Sequence, residues 1–386
     1  MNSRRSKASF LIFTLILSAC NRVNTINLAQ NEESEVFLDI LKAHAAEIVS
    51  TLDDNALVSQ LLISGIDGNS ALTENNSEML SEIPAGGIIL FRYNLNTDND
   101  SIRSHISQTV DLIKEKSGIP PFVSVDHEGG VVNRFNRGVA SLPAASSYWE
   151  SASENGIINT LSKIEEDSYN SGYELKGLGI NMNFAPVAEQ LIAENRVFLQ
   201  RRSFGPDPYF VMMSANAFII GMEQAGVLCV VKHFPGTAGR DPHISASVLN
   251  FDKDSLDSLI LPFAGLIKNG AKAIMASHTK VPVIDDKITS LSSLAMDQWL
   301  RGELGFDGII ISDDFTMAAA GTMPAEEAAV RSVAAGCDMI LVWPAHLRKT
   351  HEAFISALEK NILTRERLID AAQRIIYEKL KMGLFE

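Results

Sequence analysis

The sequence predicts an α/β protein of the TIM (β/α)8 barrel type, a single domain over residues 37–386, on three observations. Eight short apolar runs follow the amino-terminal region without polar alternation, as parallel strands covered on both faces require. Segments with helical periodicity separate them. Ionisable residues crowd the C-terminal ends of the runs, the rim where barrel enzymes carry their chemistry.

The eight candidate strands are 61–66, 87–91, 122–126, 180–185, 227–234, 271–277, 308–313 and 338–343. The intervening stretch 257–268, Asp-Ser-Leu-Ile-Leu-Pro-Phe-Ala-Gly-Leu-Ile-Lys, repeats its apolar residues at helical spacing, as does 325–335. Doubly wound sheets use the same alternation, so the pattern alone leaves that fold open. The strand ends favour the barrel. Asp126-His127-Glu128 closes the third run, Lys232-His233 the fifth, Ser277-His278 the sixth and Ser312-Asp313-Asp314 the seventh. Helical sequence over 346–381 completes the barrel, and no second domain is expected after it.

Residues 1–19 stand outside the fold. Arg4, Arg5 and Lys7 precede an apolar stretch over 8–17, and Leu17-Ser18-Ala19-Cys20 follows. A basic start, a short apolar core and small residues form a secretory signal, and the run is too short to span a membrane comfortably. The ending resembles a bacterial lipobox, which implies lipidation of Cys20 as the first mature residue. An ordinary cleaved signal is the alternative. Asn21 resembles an outer-membrane sorting address. Residues 20–36 are polar and read as a tether, so an exported lipoprotein of the cell envelope is expected, at the outer membrane or cell surface.

With 386 residues, 46% hydrophobic and 21% charged, the chain can bury a large core. Its formal net charge of −14 leaves no electrostatic footprint for nucleic acid. Cys229 and Cys337, the two cysteines after Cys20, sit in apolar runs and read as small buried hydrophobes rather than a disulfide. No CxxC or His-rich spacing occurs, so no metal is expected.

Four segments can carry chemistry. Val231-Lys-His-Phe-Pro-Gly-Thr-Ala-Gly-Arg-Asp-Pro-His243 brings Lys232 and His233 to the rim, then presents Asp241 and His243 from a loop. An Asp beside a His can hold the imidazole tautomer and raise its basicity. In Gly308-Ile-Ile-Ile-Ser-Asp-Asp-Phe-Thr-Met317 the triple Ile buries the strand and Asp313 emerges at its end, where a carboxylate can attack an anomeric carbon. Its neighbour Asp314 can instead cap the next helix. Val125-Asp-His-Glu-Gly-Gly-Val-Val-Asn-Arg134 offers Asp126 to hydroxyl groups, with a glycine pair for a tight turn. Asn195-Arg-Val-Phe-Leu-Gln-Arg-Arg-Ser-Phe-Gly205 offers Arg202 as a fork of donors.

Together these segments resemble glycoside hydrolase family 3, in its β-N-acetylhexosaminidase branch. The matching pieces include Gly86-Gly-Ile-Ile-Leu-Phe91, Asn183-Phe-Ala-Pro-Val187, Lys232-His-Phe-Pro-Gly236, Asp241-Pro-His243, Ser312-Asp-Asp-Phe-Thr-Met317 and Ala335-Gly-Cys-Asp338, in the family's order. The resemblance implies a barrel enzyme that removes terminal β-linked N-acetylglucosamine with retention and without a cofactor. It implies Asp313 as nucleophile, His243 as acid/base with Asp241 as its partner, and Asp126, Arg134, Arg202, Lys232 and His233 as contacts to the sugar. Cell-wall muropeptides or chito-oligosaccharides are the implied substrates, and a monomer is expected. A phosphorylase of the same family and a non-catalytic sugar-binding lipoprotein are the alternatives. The sequence departs from the family pattern at Thr237, where His is common, at Pro242 in place of Ser, at Glu189 in place of Asp, and in a shorter loop before Asp241.

Overall fold

The computed structural model describes residues 36–135, 138–239, 247–316, 321 and 323–386. Eight parallel strands form its centre: β1 (Leu62–Gly65), β2 (Gly87–Leu90), β3 (Phe122–Val125), β4 (Met182–Asn183), β5 (Leu228–Phe234), β6 (Ala273–Ala276), β7 (Ile309–Ser312) and β8 (Ile340–Val342). Each pairs with the next in sequence, and β1 also pairs with β8 through Leu62↔Ile340. A parallel bridge between Ile311 and Met339, with Ser312 N donating to Met339 O at 2.9 Å, joins β7 to the start of β8. The sheet therefore closes on itself, which excludes the doubly wound alternative.

All eight strands lie inside the expected runs. The largest shortening is at β4, where pairing stops at Asn183 and resumes at the Val187↔Lys232 bridge. Pro186 lies between them and has no N–H to give a ladder. The strands are buried on both faces, as Ile309, Ile310 and Ile311 illustrate: each is fully buried despite pointing alternately inward and outward.

Local chemistry explains the helix ends. Asp98 accepts from Ser101 N at 2.9 Å to cap the helix Asn99–Ser117, and Gly118 terminates it in the left-handed region at φ 70°. Asp252 caps Lys253–Lys268, which starts four residues before the expected segment. The expected helical stretch over 346–381 is two helices, Pro344–Glu359 and Arg365–Lys381. Thr364 caps the second by accepting from Arg367 N at 3.2 Å. A small sheet not anticipated from the sequence pairs Ser247–Val248 with Thr279–Val281 and the latter with Asp285–Ile288. It sits on the rim, because Thr279 follows β6 directly.

At the opposite end of the barrel, Lys379 is fully buried, with Nζ 2.9 Å from Gln60 Oε1 and over the Phe122 ring at 5.2 Å. Burial pushes its ammonium from an ordinary 10.5 down to about 7. Between those two values the unfolded chain holds a proton that the folded chain has shed. Stability therefore rises with pH in that window, by at most about 1.4 kcal/mol per unit. Below it both states are charged and the penalty is constant. Urea unfolding between pH 7 and 9.5 is expected to show a shallower rise for Lys379→Met than for wild type. Identical slopes would mean that Lys379 titrates as an exposed lysine does.

Candidate active site

The C-terminal ends of parallel barrel strands share one face, so residues after β3, β5 and β7 meet around one mouth. After β3 the chain delivers Asp126 and then Glu128. Asn183 on the neighbouring strand clamps this segment: its Oδ1 accepts from His127 N and its Nδ2 donates to His127 O, both at 2.9 Å. The turn that follows needs glycine. Gly129 has φ 94°, and a Cβ there would stand 2.4 Å from the Pro143 carbonyl oxygen.

Lys232, near the end of β5, reaches both carboxylates: its Nζ lies 2.8 Å from Asp126 Oδ1 and 2.6 Å from Glu128 Oε1. Arg202 grips Glu128 with two parallel bonds from Nε and Nη2, each 2.8 Å. Arg134 lies 3.2 Å from Asp126 Oδ2. Lys232 and Glu128 are buried, while Asp126 keeps part of its side chain open to the mouth. Burial alone would raise the Asp126 and Glu128 pKa values. Lys232 and Arg134 outweigh that at Asp126, and Arg202 and Lys232 at Glu128, so both carboxyls are held below their ordinary values. The site thus presents fixed charges and donors rather than a greasy cleft.

The Val187↔Lys232 bridge runs the chain after β4 alongside the end of β5, and this brings Glu189 to His233. Glu189 is buried, with Oε1 2.6 Å from His233 Nδ1. Its other oxygen accepts from Thr237 N at 2.6 Å and Thr237 Oγ1 at 2.7 Å. Two of the departures from the family pattern, Glu189 and Thr237, are therefore partners in one contact. With Glu189 ionised, Nδ1 carries the proton and Nε2 is the ring atom left to meet a ligand hydroxyl.

Asp313 follows β7. Its N–H donates to Ala276 O at 3.1 Å, and its Oδ1 accepts from Asp314 N at 2.9 Å. Asp314 caps no helix among the described residues, where the next one begins at Ala325 without a side-chain cap. Instead it forms a local turn, accepting from Thr316 N and Thr316 Oγ1 at 2.8 Å, and it accepts from Trp343 Nε1 at 2.5 Å. His278 buttresses this segment from β6. Its Nε2 donates to the Asp314 carbonyl at 3.0 Å, so its Nδ1 accepts from Ser290 Oγ at 2.8 Å. Its ring stacks on Phe315 at 4.6 Å. Burial lowers the His278 pKa against the raising charge of Asp313, which leaves the imidazole neutral beside the carboxylate.

Of the residues singled out from the sequence, Asp126, Arg134, Arg202, Lys232 and His233 converge at this mouth, and Asp313 stands on the same rim. Asp241, His243 and Cys20 lie outside the described residues. The described residues flanking Asp241 and His243 are held at the rim: Gly239 N donates to Glu194 O at 2.9 Å, and Ser247 Oγ accepts from Ala238 N at 2.8 Å. Sequence reasoning missed Glu128 as a site residue and gave no partner to Glu189 or His278. A carboxylate just before a Gly-Gly turn at a strand end was the available signal for Glu128. Cys229 and Cys337 are buried and unpaired as expected, with burial pushing the Cys337 thiol up to about 12. Among the described residues, no group of His, Cys, Asp and Glu could hold a metal.

A sequence profile of the glycosyl hydrolase family 3 N terminal domain matches residues 51–377. A β-hexosaminidase of Methylococcus capsulatus is 36% identical over 299 residues, covering 75% of this chain and 83% of its own. A β-hexosaminidase of Neisseria gonorrhoeae is 35% identical over 281 residues, covering 70% and 74%. Among solved structures, a glycoside hydrolase family 3 β-N-acetylglucosaminidase from a Paenibacillus species superposes with a TM-score of 0.79 at 29% identity. It covers 86% of this chain, while the present chain spans 63% of that protein's length. NagZ from Neisseria gonorrhoeae, solved in complex with N-trifluoroacetyl-D-glucosamine, superposes with a TM-score of 0.69 at 27% identity, covering 82% and 97%.

Proposed function

The chain belongs to glycosyl hydrolase family 3 and is a glycoside hydrolase, and from that premise we propose that it is a retaining exo-β-N-acetylglucosaminidase. The observation that carries the reading is the cluster of Asp126, Arg134 and Arg202 around the buried pair Glu128 and Lys232, joined by His233, on the same rim as Asp313. Such a cluster suits a polyhydroxylated, uncharged ring: Asp126 accepts from hydroxyls, while the cations and His233 bind its oxygens. A ring held this way ends its chain at the pocket, which favours removal of terminal residues.

In the first step an Asp313 oxygen attacks the anomeric carbon while the bond to the leaving oxygen breaks. His243 gives its proton to that oxygen. In the second step His243 takes a proton from water, the hydroxide bonds to the anomeric carbon, and Asp313 leaves. A protonated imidazole is a cation and does not repel the nearby carboxylate, as a second carboxylate would. Asp241 orients His243. Relatives named β-hexosaminidase and a neighbour holding an N-acylated glucosamine support N-acetylglucosamine as the glycone. Cell-wall fragments and chito-oligosaccharides are the substrates we infer. Export and lipidation at Cys20 would place the reaction in the cell envelope. Labelling with radioactive palmitate that persists in Cys20→Ala would remove the anchor from this reading.

The direct test is turnover of an aryl β-N-acetylglucosaminide against the matching β-glucoside, in buffer with and without phosphate. Release from the first only, with free N-acetylglucosamine as product in both buffers, is expected. Equal turnover of the two glycosides would overturn the glycone assignment. Sugar 1-phosphate as the product would make the enzyme a phosphorylase.

A further inference from the structure

Three aromatic rings stand on the arc of the rim formed by β8, β1 and β2, which adjoins β3. Phe91 follows β2, Trp343 follows β8, and Tyr93 donates its hydroxyl hydrogen to Ile66 O, just beyond β1, at 3.0 Å. The Phe91 and Trp343 rings are nearly parallel, 8° apart with centroids at 4.6 Å, and Phe91 stacks on Tyr93 at 5.8 Å. Trp343 is 36% exposed and Tyr93 45% exposed, which is unusual for rings so well ordered against one another. They border a groove of about 580 Å³ that also takes in Asp67, Arg348 and Lys349.

We propose that this groove is the leaving-side subsite, in which a second pyranose ring stacks on Trp343. The inference rests on the N-acetylglucosaminidase reading above. Its geometry follows from the pyranose itself. C4 and C1 lie at opposite ends of the ring, and a β-linked leaving oxygen projects from C1 away from C4. A glycone whose hydroxyls are held at the ends of β3–β5, with Asp313 under one face of C1, directs its leaving oxygen from the other face towards β8, β1 and β2. The indole stands where that path begins: Trp343 Nε1 bonds Asp314, the residue adjoining the nucleophile. A β-linked pyranose with equatorial substituents exposes a face of C–H groups, which packs on an aromatic plane. The groove carries Asp67 as well as Arg348 and Lys349, and Arg348 is already paired with Glu82. Ring stacking, not charge, therefore selects the occupant.

The test compares kcat/KM on N,N′-diacetylchitobiose, which places a ring in the groove, with kcat/KM on methyl β-N-acetylglucosaminide, which does not. In Trp343→Ala the disaccharide-to-methyl ratio is expected to fall by about five- to tenfold, the worth of one stacked ring. Trp343→Phe keeps an aromatic face but loses the bond to Asp314, and is expected to retain most of the ratio. An unchanged ratio in Trp343→Ala overturns the subsite. An equal loss on both substrates in both variants also overturns it, and makes Trp343 a positioning residue for Asp314. A second readout needs no turnover. Diacetylchitobiose added to Asp313→Asn should shift tryptophan fluorescence, N-acetylglucosamine should shift it less, and the difference should vanish in the Trp343→Phe background. Wild type that hydrolyses neither glycoside would end the N-acetylglucosaminidase reading. A disaccharide response that survives in Trp343→Phe, or is absent throughout, would end the subsite.

Discussion

Asp313→Asn is expected to lower kcat/KM on an aryl β-N-acetylglucosaminide by about 10⁴-fold or more, the scale of losing a central catalytic group. The loss follows from chemistry and not from folding. Asp313 Oδ1 accepts one bond, from Asp314 N, and the amide oxygen of Asn can accept the same bond. The amide cannot supply the negative charge that forms the bond to the anomeric carbon. An unchanged melting temperature with no burst or steady-state product release is the expected pair of results. Asp313→Gly sharpens the test. Removing the side chain opens the face opposite the leaving group, so azide can attack there and yield the α-glycosyl azide. Turnover near wild type in Asp313→Asn, or rescue that yields the β-azide, would place the nucleophile elsewhere.

Glu128→Gln is expected to destabilise the protein by about 3–5 kcal/mol, the cost of breaking a buried ion pair from one side, and to weaken substrate binding with it. Glu128 answers two cations at once, Arg202 through two oxygens and Lys232 at 2.6 Å. Without its charge, Asp126 is left to Lys232 and Arg134, and Arg202 keeps only the charges of Glu189 and Asp126. The sign of the pH dependence is fixed by the same contacts. The Glu128 pKa is held well below its ordinary 4.5, so the folded state binds the proton more weakly than the unfolded chain. The stabilisation is complete above the ordinary value and is lost as pH falls below about 4.5. Urea unfolding at pH 7 and pH 4 measures both effects: wild type should weaken more than Glu128→Gln on acidification. A difference under about 1 kcal/mol at pH 7, typical of an exposed pair, would mean that solvent already screens this cluster.

The amino-acid order by itself determined the eight strands, their parallel character and the rim that carries the chemistry. Burial on both faces leaves uninterrupted apolar runs such as Ile309-Ile310-Ile311, and Asp126, Lys232 and Asp313 then appear where each run ends. The resemblance to the family, rather than the strand ends, singled out Asp126, Arg134, Arg202, Lys232 and His233 as a set, and the structure draws them together at one mouth. Only the tertiary structure decided the partners. Glu128 meets Arg202 across 74 positions, and Glu189 meets His233 across 44. A carboxylate's sequence neighbours carry no record of which cation closure of the barrel will bring to it. The aromatic arc is the same case: Phe91 and Trp343 are single rings after two distant strands, and they become one stack because β1 pairs with both β2 and β8. Strand periodicity is a local consequence of burial, whereas pairing between strand ends exists only once the sheet has closed.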